Sequence, residues 1–365
     1  MKKNYKYNFA VVIGRFQPLH NEHCGLITHA LDIAENVIIV IGSSYSPRTL
    51  RNPFTHTERE RMIKDVFLSR EYDQYRFRFI YQEDHIYNYQ KWFNEIYSRV
   101  NSIVADYENK NIIYVGCKKD HTSSYLDEIR QHGNNVVLFD NNNKINSTDI
   151  RNYYFEDYGF YGNKIDKNVP KYVAEYLNKF YDNSHYKKLS EEYWAVLDSK
   201  DMWKDSPYTP TFITTDACVI YKNKILLITR AGNIGNGLLA LPGGYLEPHE
   251  SIIDGTIREL HEETNLDISS ICIHETNGNK LNSKYIEKLK NHIKETHVFD
   301  YPMRSDRGRI VTHASLIDIS GFDFLPKVMA SSDASHVAWY DVNNLKRQDF
   351  FEDHYDMIQY LLARN

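Results

Sequence analysis

The chain has 365 residues, 42% hydrophobic and 25% charged, and its 44 basic and 49 acidic side chains leave a net charge of −5. The length predicts two or three domains, and the ordinary composition excludes a disordered chain, a collagen-like fibre and a disulfide-built miniprotein. With no surplus of positive charge, a general nucleic-acid coat protein is excluded as well; a local basic pocket for a small phosphorylated ligand is not.

Cys24, Cys117, Cys218 and Cys272 lie far apart and form no CxxC pair. They support neither a zinc site nor a redox motif, and they suit a reducing, cytoplasmic setting. The apolar run behind the basic N-terminus stops at Gly14–Arg15, too short for a signal peptide. No run approaches 18 apolar residues, so neither a membrane span nor a membrane partner is expected.

In chain order, the first half alternates apolar runs at 9–13, 37–41, 77–81, 112–115 and 136–139 with helical patterns near 22–34, 57–69, 87–107 and 123–131. Short continuous apolar runs fit strands buried on both faces of a parallel sheet. Their alternation with helices predicts an α/β doubly wound sheet, where ligands bind at the carboxyl ends of the strands. A closing helix is expected from Asn168 to about Phe180. Domain one is placed at 1–183, a polar helical linker at 184–207 and domain two at 208–365. The second half reads as α+β. A hairpin turns at Lys222–Asn223 between 212–221 and 224–230. A key helix lies near 250–264, strands near 268–275, 296–301, 309–318 and 336–341, and a last helix near 353–363. The stretch from Gly235 to Ala240 has GxGxxA spacing, but it opens no helix and reads as a flexible loop.

After the first strand comes Gly14-Arg15-Phe16-Gln17-Pro18-Leu19-His20-Asn21-Glu22-His23. A strand that delivers the chain to a helix start offers free N–H groups and a favourable dipole to phosphate. His20 and His23, three apart, share one side of that turn. Two imidazoles with Arg15 suit a triphosphate and charge growing on a leaving pyrophosphate. The segment resembles the HxGH nucleotidyltransferases, above all the archaeal-type nicotinamide mononucleotide (NMN) adenylyltransferases, with Glu22 where the pattern has glycine. Further stretches agree: Gly42-Ser43 with Arg51-Asn52-Pro53-Phe54-Thr55 and Glu58-Arg59; Ser147-Thr148-Asp149-Ile150-Arg151; Asp84 with Trp92; and Gly116-Cys117-Lys118-Lys119-Asp120. Either Thr55 or Thr57 suits the cap of the helix behind Asn-Pro-Phe-Thr.

The resemblance implies ATP + NMN → NAD + pyrophosphate, with Mg²⁺ on the phosphates. It implies Gly14, Arg15, His20, His23, Ser147, Thr148 and Arg151 around ATP, with Arg15, His20, His23 and Arg51 acting on the reacting phosphates. Asp84, Trp92, Lys119 and Asp120 would bound the NMN pocket, the indole of Trp92 stacking on the cationic pyridinium ring. Gln90 stands where an asparagine is frequent. A transferase acting on another phosphate, as cytidylyltransferases do, is the rival, and Trp92 argues against it.

Residues 243–266 contain Gly244, Glu250, Arg258, Glu259, Leu260, Glu262, Glu263 and Leu266 at the spacing Gx5Ex7REUxEExGU, with Asn265 in the last glycine's place. Asparagine tolerates the left-handed conformation expected after a helix. Glu259, Glu262 and Glu263 share one helix face. Their hard oxygens suit Mg²⁺ or Mn²⁺, and Arg258, four before Glu262, suits its orientation. This stretch resembles the Nudix box, and the second half resembles the ADP-ribose pyrophosphatase half of bacterial bifunctional NMN adenylyltransferases. The resemblance implies cleavage of ADP-ribose to AMP and ribose 5-phosphate. It implies Gly243, Glu259, Glu262 and Glu263 as metal ligands, Glu263 or Asp333 as the base, and Arg304, Arg309 and Asp333 around ADP-ribose. Small nucleotides are the expected partners, and a homo-oligomer is compatible with the chain. A non-hydrolytic ADP-ribose or NAD sensor regulating the transferase is the alternative for this half.

Overall fold

The structure, a computed structural model, describes residues 5–108, 110–117, 125–140, 145–156, 163–268, 283–330 and 334–364. Its backbone groups into two compact units, residues 1–190 and 191–365.

In the first unit five strands, β1 (Tyr7–Gly14), β2 (Ala34–Ile41), β3 (Phe77–Tyr81), β4 (Ile112–Gly116) and β5 (Asn135–Leu138), form one sheet in the order β3-β2-β1-β4-β5. All its pairings are parallel. The expected doubly wound sheet is present. Helices α1 (Asn21–Ile33), α2 (His56–Leu68), α3 (Tyr89–Val104), α4 (Tyr125–Gln131), α5 (Ser147–Glu156), α6 (Asn163–Asp166) and α7 (Lys171–Tyr181) follow or connect these strands. Phe9–Val12 and Val37–Ile41 are buried without alternation, the signature of strands covered on both faces. Phe93, Ile96, Val100 and Val104 recur at three- and four-residue steps on α3 and pack on Phe9, Val11, Ile38, Val40 and Ile80. Each such fully buried aliphatic or phenyl side chain contributes about 1.5–3 kcal/mol. The chain leaves β1 towards β2 and β3, then crosses back to β4 on the other side of β1. The carboxyl ends of β1 and β4 therefore flank a topological switch point, where such sheets open a crevice.

Helix α8 (Ser184–Asp201) occupies most of the expected linker. In the second unit, β6 (Thr211–Tyr221), β7 (Lys224–Arg230), β8 (Leu239–Ala240), β9 (Gly243–Tyr245), β10 (Ile293–Phe299), β11 (Arg309–Asp318) and β12 (Ala334–Asp341) form a mixed sheet. Its order is β10-β11-β6-β7-β12, with β8 on β7 and β9 on β6. Among the described strand pairs only β6 and β11 run parallel. Helices α9 (Ile252–Thr264), α10 (Ser283–Lys290) and α11 (His354–Leu362) complete the unit. Ile257 and Leu260 of α9 enter a core with Ala217, Val219, Leu226 and Ile228, which fixes which face of α9 turns away from the core.

The structure differs from the sequence reading in two places. The Gly235–Ala240 stretch is not a loose loop. Gly235 and Gly237 take φ of +70° and +81°, the chain bonds back through Gly237 N–H to Arg230 O, and Leu239–Ala240 becomes strand β8. The strand expected at 296–301 starts earlier, at Ile293, and ends at Phe299. Most of the strand expected at 268–275, and Cys272 with it, lies outside the described residues. No helix among the described residues is long and apolar enough to cross a membrane.

Candidate active sites

At the end of β1 the chain turns through Phe16 at φ +54° and enters α1 at His20, the N-cap. His20 is extended (φ −131°), and its Nδ1 accepts the His23 N–H at 3.4 Å. The two imidazoles stack with centroids 3.6 Å apart, and Phe16 meets His23 edge-on at 5.0 Å. The expected pair is thus assembled on the first turn of α1.

Three other segments are tied to this loop. Arg151 of α5 donates to Gln17 O at 2.8 Å and to Thr148 Oγ1 at 3.2 Å, while Ser147 Oγ donates to Pro18 O at 3.3 Å. Gln17 in turn bonds both backbone groups of Phe54, at 2.8 and 3.1 Å. Arg59, 1% exposed, donates to Arg15 O (2.6 Å), Gly42 O (2.7 Å), Ser43 O (3.1 Å) and Thr55 O (3.2 Å). Burial pushes its guanidinium down to about 10, opposed by Asp84, so it stays charged at neutral pH. Arg15 is exposed and Arg51 half-buried. Trp92 spends part of its surface on the core beside Phe93 and lies 5.5 Å from Tyr89 and 6.2 Å from Tyr125. Gln90 is exposed and bonds Asn94 instead of turning inward. Lys119 and Asp120 lie outside the described residues.

In the second unit, α9 starts at Ser251, whose hydroxyl accepts the Asp254 N–H, and ends at Asn265 with φ 42° and ψ 43°. Asn265 therefore takes the left-handed cap that the missing glycine would supply. Arg258 is the hub of the helix. It reaches Glu250 (2.7 and 2.9 Å), Glu259 (2.8 Å), Glu262 (2.8 Å) and Tyr245 O (3.1 Å). Glu263 is buried and accepts the Gly243 N–H at 2.9 Å. Burial pushes its carboxyl up to about 8, with the Gly243 hydrogen bond opposing. Burial also raises Glu259.

The glycines are required by close approach. A Cβ on Gly244 would lie 2.5 Å from Glu259 Oε1; one on Gly243 would lie 2.2 Å from Thr215 O and 2.6 Å from Asp216 Oδ1. The oxygen donors of Glu259, Glu262, Glu263 and Gly243 fit a hard divalent cation. Among the described residues, however, no three acidic, His or Cys side chains converge as a ready-made metal cluster. Arg258 and Gly243 take up their oxygens, so a bound ion competes with Arg258 for Glu259 and Glu262.

Arg304 is not turned to a ligand in this conformation. It is buried, with Nε and Nη2 on the Asp353 carboxylate at 3.0 and 2.8 Å, and Nη2 also meets Met357 Sδ. Arg309 donates to Asp300 O at 2.7 Å. Asp333 lies outside the described residues. A buried network went unread in the sequence. Asp216 of β6 accepts from Thr312, and its carboxyl is pushed up to about 6 by burial despite Arg304 and Thr312. His354 Nδ1 accepts the Leu241 N–H at 3.0 Å and lies 4.0 Å from Asp216. Its ring is held well below the ordinary range by burial and by Arg304. The available signal was a lone aspartate inside the apolar run Thr214–Tyr221.

Comparison with known proteins matches each half of the chain to a family. Residues 11–153 match the Cytidylyltransferase-like family and residues 211–361 the NUDIX domain family. A nicotinamide/nicotinic acid mononucleotide adenylyltransferase of Acinetobacter baylyi is 34% identical over 191 residues, 52% of this chain and 96% of that protein. An ADP-ribose pyrophosphatase of Methanocaldococcus jannaschii is 29% identical over 164 residues, 45% of this chain and 80% of that one. The crystal structure of a bifunctional NMN adenylyltransferase/ADP ribose pyrophosphatase from Francisella tularensis, complexed with AMP and a Mn ion, superposes with a TM-score of 0.85 at 32% identity, covering 98% of this chain and 99% of that one. The chain belongs to the family of bifunctional NMN adenylyltransferase/ADP-ribose pyrophosphatases.

Proposed function

We propose that the first unit transfers the adenylyl group of ATP to NMN, giving NAD and pyrophosphate, and that the second hydrolyses ADP-ribose to AMP and ribose 5-phosphate. One observation carries the reading: His20 and His23 stack on the first turn of α1 at the switch point, on a loop to which Arg59 and Arg151 tie the ends of β2 and α5. In the transfer, an oxygen of the NMN phosphate attacks the α-phosphorus of ATP and the bond to the bridging oxygen breaks. Gly14 lets the backbone approach; His20, His23, Arg15 and Arg51 stabilise charge on the departing pyrophosphate. Ser147, Thr148 and Arg151 hold the triphosphate. Asp84 and Trp92, with Lys119 and Asp120, position NMN, the indole giving the pyridinium its cation–π partner.

In the hydrolysis, Glu263 takes the proton of the attacking water. Mg²⁺ or Mn²⁺ at Gly243, Glu259, Glu262 and Glu263 would neutralise the diphosphate and activate the water. Asp333 remains the second candidate base, and Arg304 and Arg309 candidate ligands of ADP-ribose. The complete glutamate set under Arg258 favours hydrolysis over a non-hydrolytic sensor. Cys24 and Cys218, buried thiols outside any disulfide, support a cytoplasmic setting.

The test uses the full chain. With Mg²⁺, ATP and NMN it should yield NAD and pyrophosphate, and the paired variant His20→Ala, His23→Ala should lose that yield by a hundredfold or more, on the order of two or more lost transition-state contacts. With ADP-ribose and Mn²⁺ it should release AMP, and Glu263→Gln should abolish the release. Tight ADP-ribose binding without AMP would make the second unit a sensor.

A further inference from the structure

We propose that Arg230 and Arg307, stacked on Phe351, read the diphosphate of the hydrolase substrate. This rests on the hydrolase reading of the second unit and names the cationic residues of its site. Five of the seven arginines of that unit are already spent: Arg258 on the helix glutamates, Arg304 on Asp353, Arg347 on Asp356, Arg309 on Asp300 O and Arg364 on Glu295. Arg230 differs. It stands at the end of β7, half-buried, and makes no ion pair among the described residues. Its one side-chain hydrogen bond runs from Nε to Ile234 O at 3.1 Å, so neither Nη group donates within the described chain. Arg307 spends Nε on Ser305 Oγ at 3.2 Å and reaches Glu352 only at 3.3 Å, through Nη2.

Both guanidiniums lie over one ring. Arg230 Cζ is 4.1 Å and Arg307 Cζ 5.6 Å from the centroid of Phe351. That ring is a fixed platform. Phe351 is 4% exposed, its N–H is held by Leu239 O at 2.9 Å, and a Cβ on Gly235 would lie 2.2 Å from its Cδ2. Two cations brought together over an apolar ring are costly without an anion. Burial and Arg307 both weaken the protonated form of Arg230, while Glu352, Glu263 and Asp216 favour it. Glu263 is among the charges acting on Arg230, and the chain that bonds back to Arg230 O at Gly237 runs on through β8 to Gly243, whose N–H Glu263 accepts. A linked diphosphate presents two adjoining anionic groups, and two forked donors at fixed spacing match it better than two ammonium groups would.

The test measures ADP-ribose hydrolysis by the full chain with Mn²⁺ in the variants Arg230→Gln, Arg307→Gln and Arg230→Lys. Each Gln variant should raise KM by about tenfold or more, the worth of one charge-assisted hydrogen bond, with kcat changed far less. Arg230→Lys should restore only part of the loss. Unchanged KM, or a fall in kcat alone, overturns the clamp. If Arg230→Gln does not fold, Arg307→Gln carries the test. If the wild-type chain does not hydrolyse ADP-ribose, the hydrolase reading fails separately. Calorimetric binding of ADP-ribose then decides the clamp: weaker binding by the variants upholds it, equal binding overturns it.

Discussion

At the scale of single residues, Arg59 shows how a charged side chain far from any substrate atom can set a site. It is fully buried, yet among the described residues no carboxylate pairs with it directly; four backbone carbonyls satisfy it. Three of these, Arg15 O, Gly42 O and Ser43 O, belong to the loops after β1 and β2. Arg59→Ala should leave those carbonyls without donors, at about 1–3 kcal/mol for each one that water cannot reach. Arg59→Lys should do little better, because one ammonium cannot span four acceptors. Denaturant titration should show the first unit destabilised in both variants, with KM for ATP raised where the fold survives. Unchanged midpoints would show that the clasp contributes nothing. Arg59 stood inside a recognised stretch of sequence, but its partners are main-chain oxygens, which carry no side-chain signature. Asn265 is the opposite case: its left-handed cap was legible, because the conformation is a property of the residue and its position after a helix.

Among the elements, the start of α2 makes the cap itself titratable. Thr55 and Glu58 form a capping box, and Arg48 clamps Glu58 with both Nη groups at 2.7 and 2.8 Å. Burial pushes the Glu58 carboxyl up, but hydrogen bonds from Arg48, Tyr176 and Thr55 outweigh it and hold it at about 2. A carboxyl held below its ordinary value stabilises the fold above that value and loses the contribution as pH falls through the folded one. The window here runs from about 4.5 down to about 2, and the effect is on the order of 2–3 kcal/mol. The stability gap between wild type and Glu58→Gln should therefore be full at pH 6 and close towards pH 2; a gap independent of pH would sink the argument. Elements of this kind were legible where local chemistry decided them. The five parallel strands, α9 and the Thr55 cap follow from apolar runs, helical spacing and capping residues. Strands β8 and β9 did not, because two or three residues carry no period; they exist only because β7 and β6 offer them partners. The Asp216–Thr312–His354 network was equally hidden, since 96 residues separate Asp216 from Thr312.

For the whole molecule, the two proposed activities set a demand on each other. The product of the transferase, NAD, contains the same diphosphate-linked adenosine as ADP-ribose and differs by the nicotinamide on the far ribose. A diphosphate clamp of the Arg230–Arg307 type binds what the two molecules share, so it cannot tell them apart. Discrimination must come from the far ribose, where ADP-ribose carries a hydroxyl and NAD a cationic ring. Sites built to hydrogen-bond a hydroxyl reject ligands that lack it by on the order of 10⁴-fold, because their polar groups are left unpaired. Without such rejection, a chain bearing both activities would spend ATP to make NAD and cleave it again. The full chain given ATP, NMN and divalent metal should therefore accumulate NAD with pyrophosphate and without matching AMP, and kcat/KM for ADP-ribose should exceed that for NAD by about a hundredfold or more. A time course in which AMP rises as NAD falls would show that the second unit reads only the shared diphosphate. The clamp residues would then be its main specificity element, and the far-ribose argument would be wrong.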